Sequence, residues 1–177
     1  MNEEAKARSK ALALLASLHV CNLATYGDGE AHAVSLLYAH HGLLLYWLSD
    51  PATHHSRYIE AAPAAPVAMA IAADQTDFRT IRGVQMHGLV RRLSAPEERE
   101  AAMQLLSRRY RYLDAANRPP EVAAALRKAM LYCFAPTRVT VIDNTAGLGA
   151  RVTFTPTADD DDLSPLPGGK ADTNPAC

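Results

Sequence analysis

The tight turn at residues 26–29 limits the possible folds of this sequence more than any other feature. Tyr26-Gly27-Asp28-Gly29 separates two largely apolar runs, 20–25 and 31–38. An Asp-Gly pair between such runs is a strong hairpin signal, because both residues accept positive φ angles. Strands joined by so short a turn are antiparallel. The pattern therefore predicts an antiparallel sheet and argues against a βαβ array.

The rest of the chain continues with short strands and few helices. Helices are predicted over 3–18, 51–61, from about 96 to 113, and over 121–131. Further strands are predicted over 43–48, 67–73, 80–93, 133–143 and 151–155. Asp50 is placed to cap the second helix, Ser94 and Glu97 are spaced as a capping box for the third, and His40-His41-Gly42 is predicted to form a turn.

An antiparallel barrel is the natural way to bury strands of this kind. We therefore expect a single domain over residues 1–155 that is mainly β with flanking helices. Residues 156–177 are rich in Pro, Gly and Asp and include four consecutive aspartates. That composition predicts a disordered acidic tail.

Charge and hydrophobicity exclude two classes of partner. The 177 residues carry a formal net charge of -1 and are 49% hydrophobic, so no strong field for nucleic acid or for an anionic membrane is expected. The apolar stretch near the N-terminus follows several charged residues and is too short to span a bilayer. We therefore expect a cytoplasmic protein without a membrane anchor.

Seven histidines make a metal site the first possibility to weigh. The sequence has no HExxH motif and no Cys pair near a His pair at ligand spacing, so no metal site is predicted. A GxSxG nucleophile elbow, a Walker A loop and a GxGxxG loop are also missing, and no catalytic residue can be named.

The segment 53–57 is the first candidate for ligand binding. Thr53-His54-His55-Ser56-Arg57 lies in the first turn of a short predicted helix, directly after a buried strand. Helix N-termini attract anions, because their amides are unpaired and the helix dipole is positive there. Hydroxyl, imidazole and guanidinium groups could complete a phosphate site. The alternative is that these hydroxyls only cap the helix.

The strand around Gly83 is the second candidate. On a strand, Gly83, Gln85 and His87 share one face, which leaves room for a flat ligand beside a hydrogen-bonding side chain. The alternative is a bulged edge strand whose polar residues face solvent.

Taken in order, five segments resemble the FMN-binding split barrels of the pyridoxamine 5'-phosphate oxidase-like family, in an uncharacterised branch. The resemblance covers roughly residues 10–155. The segments are the hairpin with His32-Ala33-Val34-Ser35, the stretch Tyr46-Trp47-Leu48-Ser49-Asp50-Pro51-Ala52-Thr53-His54-His55, the strand Val67-Ala68-Met69-Ala70-Ile71, the strand Ile81-Arg82-Gly83-Val84-Gln85-Met86-His87-Gly88, and the loop Asp143-Asn144-Thr145-Ala146-Gly147-Leu148-Gly149.

The resemblance implies a six-stranded antiparallel Greek-key split β-barrel that forms a homodimer with two FMN sites at the interface. It places the phosphate near Ser49, Thr53, His54 and His55. The isoalloxazine would run along His32, Ala33, Val34 and Ser35, and Gln85 would meet the polar edge of the ring or line the substrate side. Partner residues would close each site.

This sequence also departs from the family pattern. Many members have Lys or Arg where His54 and His55 stand, which implies a weaker and pH-dependent phosphate site. The C-terminal Arg-x-Glu-aromatic-Trp signature of true pyridoxamine phosphate oxidases is missing. Oxidation of pyridoxamine phosphate is therefore not expected.

The leading hypothesis is an FMN-dependent oxidoreductase that acts on an unidentified small molecule. The flavin would carry the electron chemistry, and the protein would bind and orient it. Alternatives are a non-catalytic flavin- or haem-binding store or sensor, and a split barrel that uses a deazaflavin. A metal hydrolase ranks last, because the ligand spacing is missing.

Overall fold

The first helix shows how the sequence forms its local structure. In the computed structural model, which describes residues 2–62, 66–157, 163, 164 and 166, α1 spans Glu3–Ser17. The Asn2 side chain caps this helix by accepting a 2.8 Å hydrogen bond from the Ala5 amide. Ala7, Ala11 and Leu15 recur every four residues and are buried, so one face of α1 packs into the core.

Strands dominate the described part of the chain. They are β1 (Val20–Gly27), β2 (Glu30–Leu37), β3 (Ala39–His41), β4 (Leu44–Ser49), β5 (Pro66–Ala72), β6 (Arg82–Arg92), β7 (Met130–Asp143) and β8 (Arg151–Phe154). The helices after α1 are α2 (His54–Ala61), α3 (Pro96–Arg109) and α4 (Pro120–Leu126). The expected mainly β fold with flanking helices is confirmed.

All strand pairs in this sheet are antiparallel, in the order β2-β1-β5-β6-β7-β4-β3, with β8 also paired to β7. The sheet curls until β2 approaches β4. Eight strands are present in the described residues, where six were expected. Both additional strands are short: β3, which the sequence pattern did not predict, pairs with β4, and β8, which lies within the predicted strand 151–155, pairs with β7.

The long strand β7 holds the two halves of the sheet together. Residues 130–134 pair with β4, residues 139–142 pair with β8, and β6 runs along nearly the whole strand. The register with β6 shifts between His87 and Gly88. A Cβ atom at Gly88 would lie 2.1 Å from the Ala135 carbonyl oxygen, so only glycine fits at this shift.

Two hydrophobic cores pack against opposite faces of the sheet. The inner core includes Trp47 and Tyr132, whose rings stack with centroids 5.7 Å apart, together with the buried face of α1. Trp47 is fully buried, so it packs rather than meeting a ligand. The second core lies between α3 and the other face of β4 and β7. Arg91 fixes α3 to β6 through an ion pair with buried Glu98.

Several predicted boundaries were wrong. The second helix begins at His54 rather than Pro51, because the Asp50 carboxylate accepts a bond from the Ala52 amide within the turn instead of capping the helix. The fourth helix ends at Leu126, because residues from Met130 onward pair with β4.

Two predicted local patterns also fail. The third helix is preceded by Ala95 without a side-chain cap, so Ser94 and Glu97 do not form a capping box. His40 and His41 lie in β3 and pair with β4, and the turn falls at Gly42, which has a φ of 56°.

The C-terminal region is described only in part. Leu166 is buried against the second core, and Leu163 packs against both cores. Of the predicted disordered tail, residues 158–162, 165 and 167–177 lie outside the described residues. Among the described helices, none is long and apolar enough to cross a bilayer.

Candidate functional site

A short, internally bonded turn joins β4 to α2 and positions the candidate site. Ser49 is the last residue of β4, and Thr53 is the N-cap residue of α2. The Asp50 carbonyl oxygen accepts bonds from the Thr53 amide, at 3.1 Å, and from the Thr53 hydroxyl, at 2.8 Å. The turn therefore fixes both hydroxyls at the end of a buried strand.

The N-terminus of α2 has no side-chain cap within the described part of the chain. The Thr53 hydroxyl is turned toward Asp50 and lies 2.9 Å from the hydroxyl of Ser56, so it does not bond the first-turn amides. The positive end of the helix dipole is thus left for an external anion. The alternative in which the hydroxyl merely caps the helix is not what the geometry shows.

Hydroxyl and imidazole groups converge beside this helix end. The Ser49 hydroxyl oxygen lies 2.7 Å from Nε2 of His55, and the Thr53 hydroxyl lies 3.3 Å from the same nitrogen. Ser49 is 9% exposed and His55 is 4% exposed, whereas His54 is exposed. We call Ser49, Thr53, His54 and His55 the β4–α2 cluster. Ser49 and His55 form its floor, and His54 borders the solvent.

A third imidazole reaches the cluster from β2. The His32 ring lies 4.4 Å from the His54 ring and 6.4 Å from the His55 ring, measured between centroids. Burial lowers the pKa of His55, and the nearby His32 and His54 lower it further. Because the neutral form of His55 is favoured here, an anion placed among the three rings would shift this equilibrium back toward the imidazolium.

The four predicted residues of β2 divide between the two faces of the sheet. His32 pairs with buried Thr25, and Val34 pairs with buried Leu23, so both lie on the inner face near α2. Ala33 and Ser35 are exposed on the outer face, where the Ser35 hydroxyl donates a 2.8 Å bond to the Asn22 side-chain oxygen. A flat ligand that lies on one face of β2 therefore cannot contact all four side chains.

Gln85 lies apart from the β4–α2 cluster. It is exposed on the outer face of β6, and the register places it in one row with Ala70, Asn22 and Ser35. Three interstrand steps of about 4.8 Å each separate Gln85 from Ser35, so the two residues are about 14 Å apart. A single chain does not bring Gln85 to the cluster.

A cleft of about 500 Å³ opens beside Ser49, between the ends of β2 and β4 and the helices α3 and α4. Its walls are mainly apolar, and they carry Ser35 and Ser49 from the strands. Tyr110, Leu113 and Val122 are among the residues on the helical side. We call it the β2–α4 cleft. Ligand sites commonly combine an apolar wall of this kind with a few polar groups.

The predicted loop 143–149 uses its polar groups internally. The Asn144 side-chain amide donates a 2.6 Å bond to the Phe78 carbonyl, and its oxygen accepts a 3.1 Å bond from the Gly149 amide. Lys10 forms an ion pair with Asp143.

Within the described residues, no group of three His, Cys, Asp or Glu side chains is arranged to hold a metal ion.

Sequence reasoning missed the lining of the helical side of the β2–α4 cleft and undervalued Ser56. Ser56 is fully buried and borders the Thr53 hydroxyl, although only its place in the 53–57 segment pointed to it. Tyr110 and Leu113 carried no signal beyond helical spacing, because their approach to β2 and β4 depends on tertiary packing.

Comparison with known proteins places these features in context. Residues 7–143 match the family model described as Pyridoxamine 5'-phosphate oxidase. The UPF0306 protein YhbP of Salmonella schwarzengrund (strain CVM19633) is 33% identical to this chain over 98 residues. That match covers 54% of this chain and 65% of the relative, so the chain spans less than two thirds of the relative's length.

Solved structures show the same fold at low identity. The heme binding protein from Mycobacterium smegmatis has a TM-score of 0.62 and 21% identity, over 84% of this chain and 57% of that protein. A FAD-binding protein from Mesorhizobium loti has a TM-score of 0.57 and 20% identity, over 75% of this chain and 91% of that protein. The split-barrel fold expected from the sequence is thereby confirmed.

Proposed function

Because the chain belongs to the pyridoxamine 5'-phosphate oxidase family, we propose that it is a flavoprotein that holds the FMN moiety of its cofactor at the β4–α2 cluster. One observation carries the proposal. The Ser49 hydroxyl and the His55 imidazole meet at 2.7 Å beneath a helix N-terminus that no side chain caps in the described structure. Hydroxyls, imidazoles and unpaired amides are suitable donors for a phosphate.

The residues present fit a phosphate group. His54 and the first-turn amides of α2 would contact it from the open side, and Thr53 borders them. Ser49 and His55 are nearly buried, so they would orient the phosphate from beneath and adjust the charge of the site. His54 and His55 would then stand where many family members have Lys or Arg.

The flavin ring would enter the β2–α4 cleft, which adjoins the cluster through Ser49. Its apolar walls would exclude water from the ring, and Ser35 would offer a hydrogen bond at the strand side. A bound flavin supplies the electron transfer, whereas this chain supplies binding and orientation. We propose an oxidoreductase acting on an unidentified small molecule, and we name no acid or base.

A homodimer is part of this proposal. The outer face of β1, β2 and β5 exposes small side chains such as Ala24, Ala33 and Ala70, with Val20 and Leu37 each more than two-fifths exposed. A second copy packed on this face would cover its exposed apolar side chains. Gln85 lies on the same face and would then reach the flavin ring bound by the partner subunit.

A cytoplasmic location remains our prediction.

The first test is an absorbance spectrum of the purified protein, followed by titration with FMN, hemin and a deazaflavin. We expect a flavin spectrum or saturable binding of one FMN per chain, weakened by Thr53→Ala. The control Ser94→Ala changes a serine in the exposed loop before α3. Saturable binding of hemin without FMN binding would favour the haem-binding alternative. A preference for the deazaflavin over FMN would favour the alternative of a split barrel that uses a deazaflavin.

A further inference from the structure

A second cleft, of about 520 Å³, is lined in part by His54 and shares no lining residue with the β2–α4 cleft. One face of α2 forms its wall, because His54, Arg57, Tyr58 and Ala61 follow each other at helical spacing. The turn between β1 and β2, at Gly27 and Asp28, forms the facing side. We call it the α2–turn cleft.

Tyr58 and Gly27 fit closely in this cleft. A Cβ atom at Gly27 would lie 2.5 Å from Cδ2 of Tyr58, so the tyrosine ring rests directly on the glycine backbone. The φ angles of 53° at Asp28 and 82° at Gly29 shape the turn. Tyr58 is half-buried and packs against the inner core on one side. Its ring is therefore held in place while part of it faces the cleft.

The polar groups around this ring suit a nucleotide. The Arg57 guanidinium and the Asp28 carboxylate are both exposed at the cleft. Aromatic rings stack on planar bases, guanidinium groups bind phosphate, and carboxylates accept hydrogen bonds from ribose hydroxyls. All three groups occur together in the α2–turn cleft.

His54 belongs to both regions. It is part of the β4–α2 cluster, where its ring lies 4.4 Å from the His32 ring, and it also lines the α2–turn cleft. Tyr58 is four residues further along α2, a rise of about 6 Å. The order along this face is therefore imidazole, guanidinium, then aromatic ring, so the two groups that can bind phosphate precede the ring that can stack on a base.

We propose that the α2–turn cleft binds the adenosine monophosphate half of a flavin dinucleotide, so that the protein prefers FAD to FMN. The proposal rests on the proposed flavin function and extends it. The FMN moiety would occupy the β4–α2 cluster and the β2–α4 cleft. The second phosphate would lie between His54 and Arg57, and the adenine would stack on Tyr58.

The test compares FMN and FAD titrations of the full chain, followed by flavin fluorescence. We expect FAD to bind about tenfold more tightly than FMN or better. Tyr58→Leu should remove this difference while leaving FMN affinity unchanged, and Arg57→Ala should weaken FAD binding more than FMN binding. Tyr58→Phe keeps the ring and should retain the FAD preference, and Arg108→Ala is the control for an exposed arginine elsewhere.

AMP alone gives an independent readout of the cleft. Ligand-observed NMR should detect AMP binding to the wild type and to Tyr58→Phe, and not to Tyr58→Leu. If FMN binds and FAD binds equally or less tightly, the dinucleotide proposal is overturned and the flavin function stands. If neither FMN nor FAD binds, the flavin function itself is overturned.

Discussion

The hydroxyl of Ser49 lies 2.7 Å from Nε2 of His55, at the place where β4 ends and α2 begins. The two residues are six positions apart in sequence, and the turn at Asp50 brings them together. The contact links the end of a buried strand to the first turn of an uncapped helix.

Replacement of Ser49 by alanine should weaken both the fold and the flavin site. Removing the hydroxyl leaves the buried His55 nitrogen with only the more distant Thr53 hydroxyl, at a cost of about 1 kcal/mol in unfolding free energy. FMN affinity should fall about tenfold. Urea unfolding and FMN titration measure the two effects, with Ser94→Ala as the control. Unchanged FMN affinity would show that the pair does not support the phosphate.

Acidification should destabilise the ligand-free protein. The folded-state pKa of His55 lies below its ordinary value of 6.5, so near and below that pH the unfolded chain binds more protons than the folded one. Stability is therefore full above pH 6.5 and is lost as pH falls toward the folded-state pKa, by at most about 1.4 kcal/mol per pH unit. Urea unfolding between pH 7.5 and 5 measures the loss.

A His55→Asn variant separates this effect from general acid denaturation. It should lose less stability than the wild type over the same pH interval, although its stability at pH 7.5 will be lower. His87→Asn changes an exposed histidine on β6 and should follow the wild type. Equal pH dependence in all three proteins would contradict the assignment to His55.

FMN affinity should depend on pH in the opposite sense. A bound phosphate favours the imidazolium form of a neighbouring imidazole such as that of His55, so protons are taken up on binding. Affinity should accordingly rise from alkaline to mildly acidic pH. Titrations at pH 8.5, 7.5 and 6.5 test this, with His41→Asn as the control. A flat profile would show that these imidazoles do not hold the phosphate.

Complementation between chains can test the proposed role of Gln85. The residue lies about 14 Å across the sheet from Ser35. If it serves the partner's site, mixed dimers of Thr53→Ala and Gln85→Ala chains contain one site with both native residues. Wild-type FMN affinity should then return in one site per mixed dimer. No recovery would indicate that both residues act within one chain, whereas wild-type FMN affinity in the Gln85→Ala homodimer would show that Gln85 has no role.

Replacement of Gly88 by alanine should destabilise the sheet. The added methyl group would meet the Ala135 carbonyl oxygen at 2.1 Å and the Phe134 ring at 2.8 Å. Neither is free to move, because both residues lie within the paired strand β7. The expected loss is about 1–3 kcal/mol in unfolding free energy, seen by urea titration. A loss below half a kilocalorie would mean that the register shift can relax.

Local chemistry explains which parts could be predicted from the sequence. The β1–β2 hairpin was predictable, because Asp28 and Gly29 are residues that accept the positive φ angles found there. The start of α2 was not predictable from the sequence. Whether Asp50 caps the helix or forms a turn depends on the direction in which the chain leaves β4. Leu131 was predicted to be helical and lies in β7, where pairing with Leu48 outweighs helix propensity.

The site was predictable in composition but not in arrangement. The β4–α2 cluster was identified because its members are close in sequence. Strand parity correctly placed Gln85 on the face of Gly83, yet the separation from Ser35 depends on β1 and β5 lying between β2 and β6. The approach of His32 to His54 depends likewise on how α2 packs on β2. Such long-range neighbours leave no periodic signal in one sequence.

The central position of β7 has a consequence for how the chain is made. Until residues 130–143 leave the ribosome, β4 and β6 each have an unpaired edge that later binds this strand. Contacts of such long sequence separation form slowly, and unpaired edges favour aggregation. A nascent chain stalled before Met130 should therefore need chaperone protection, whereas release after Phe154 should let the sheet close in one cooperative step.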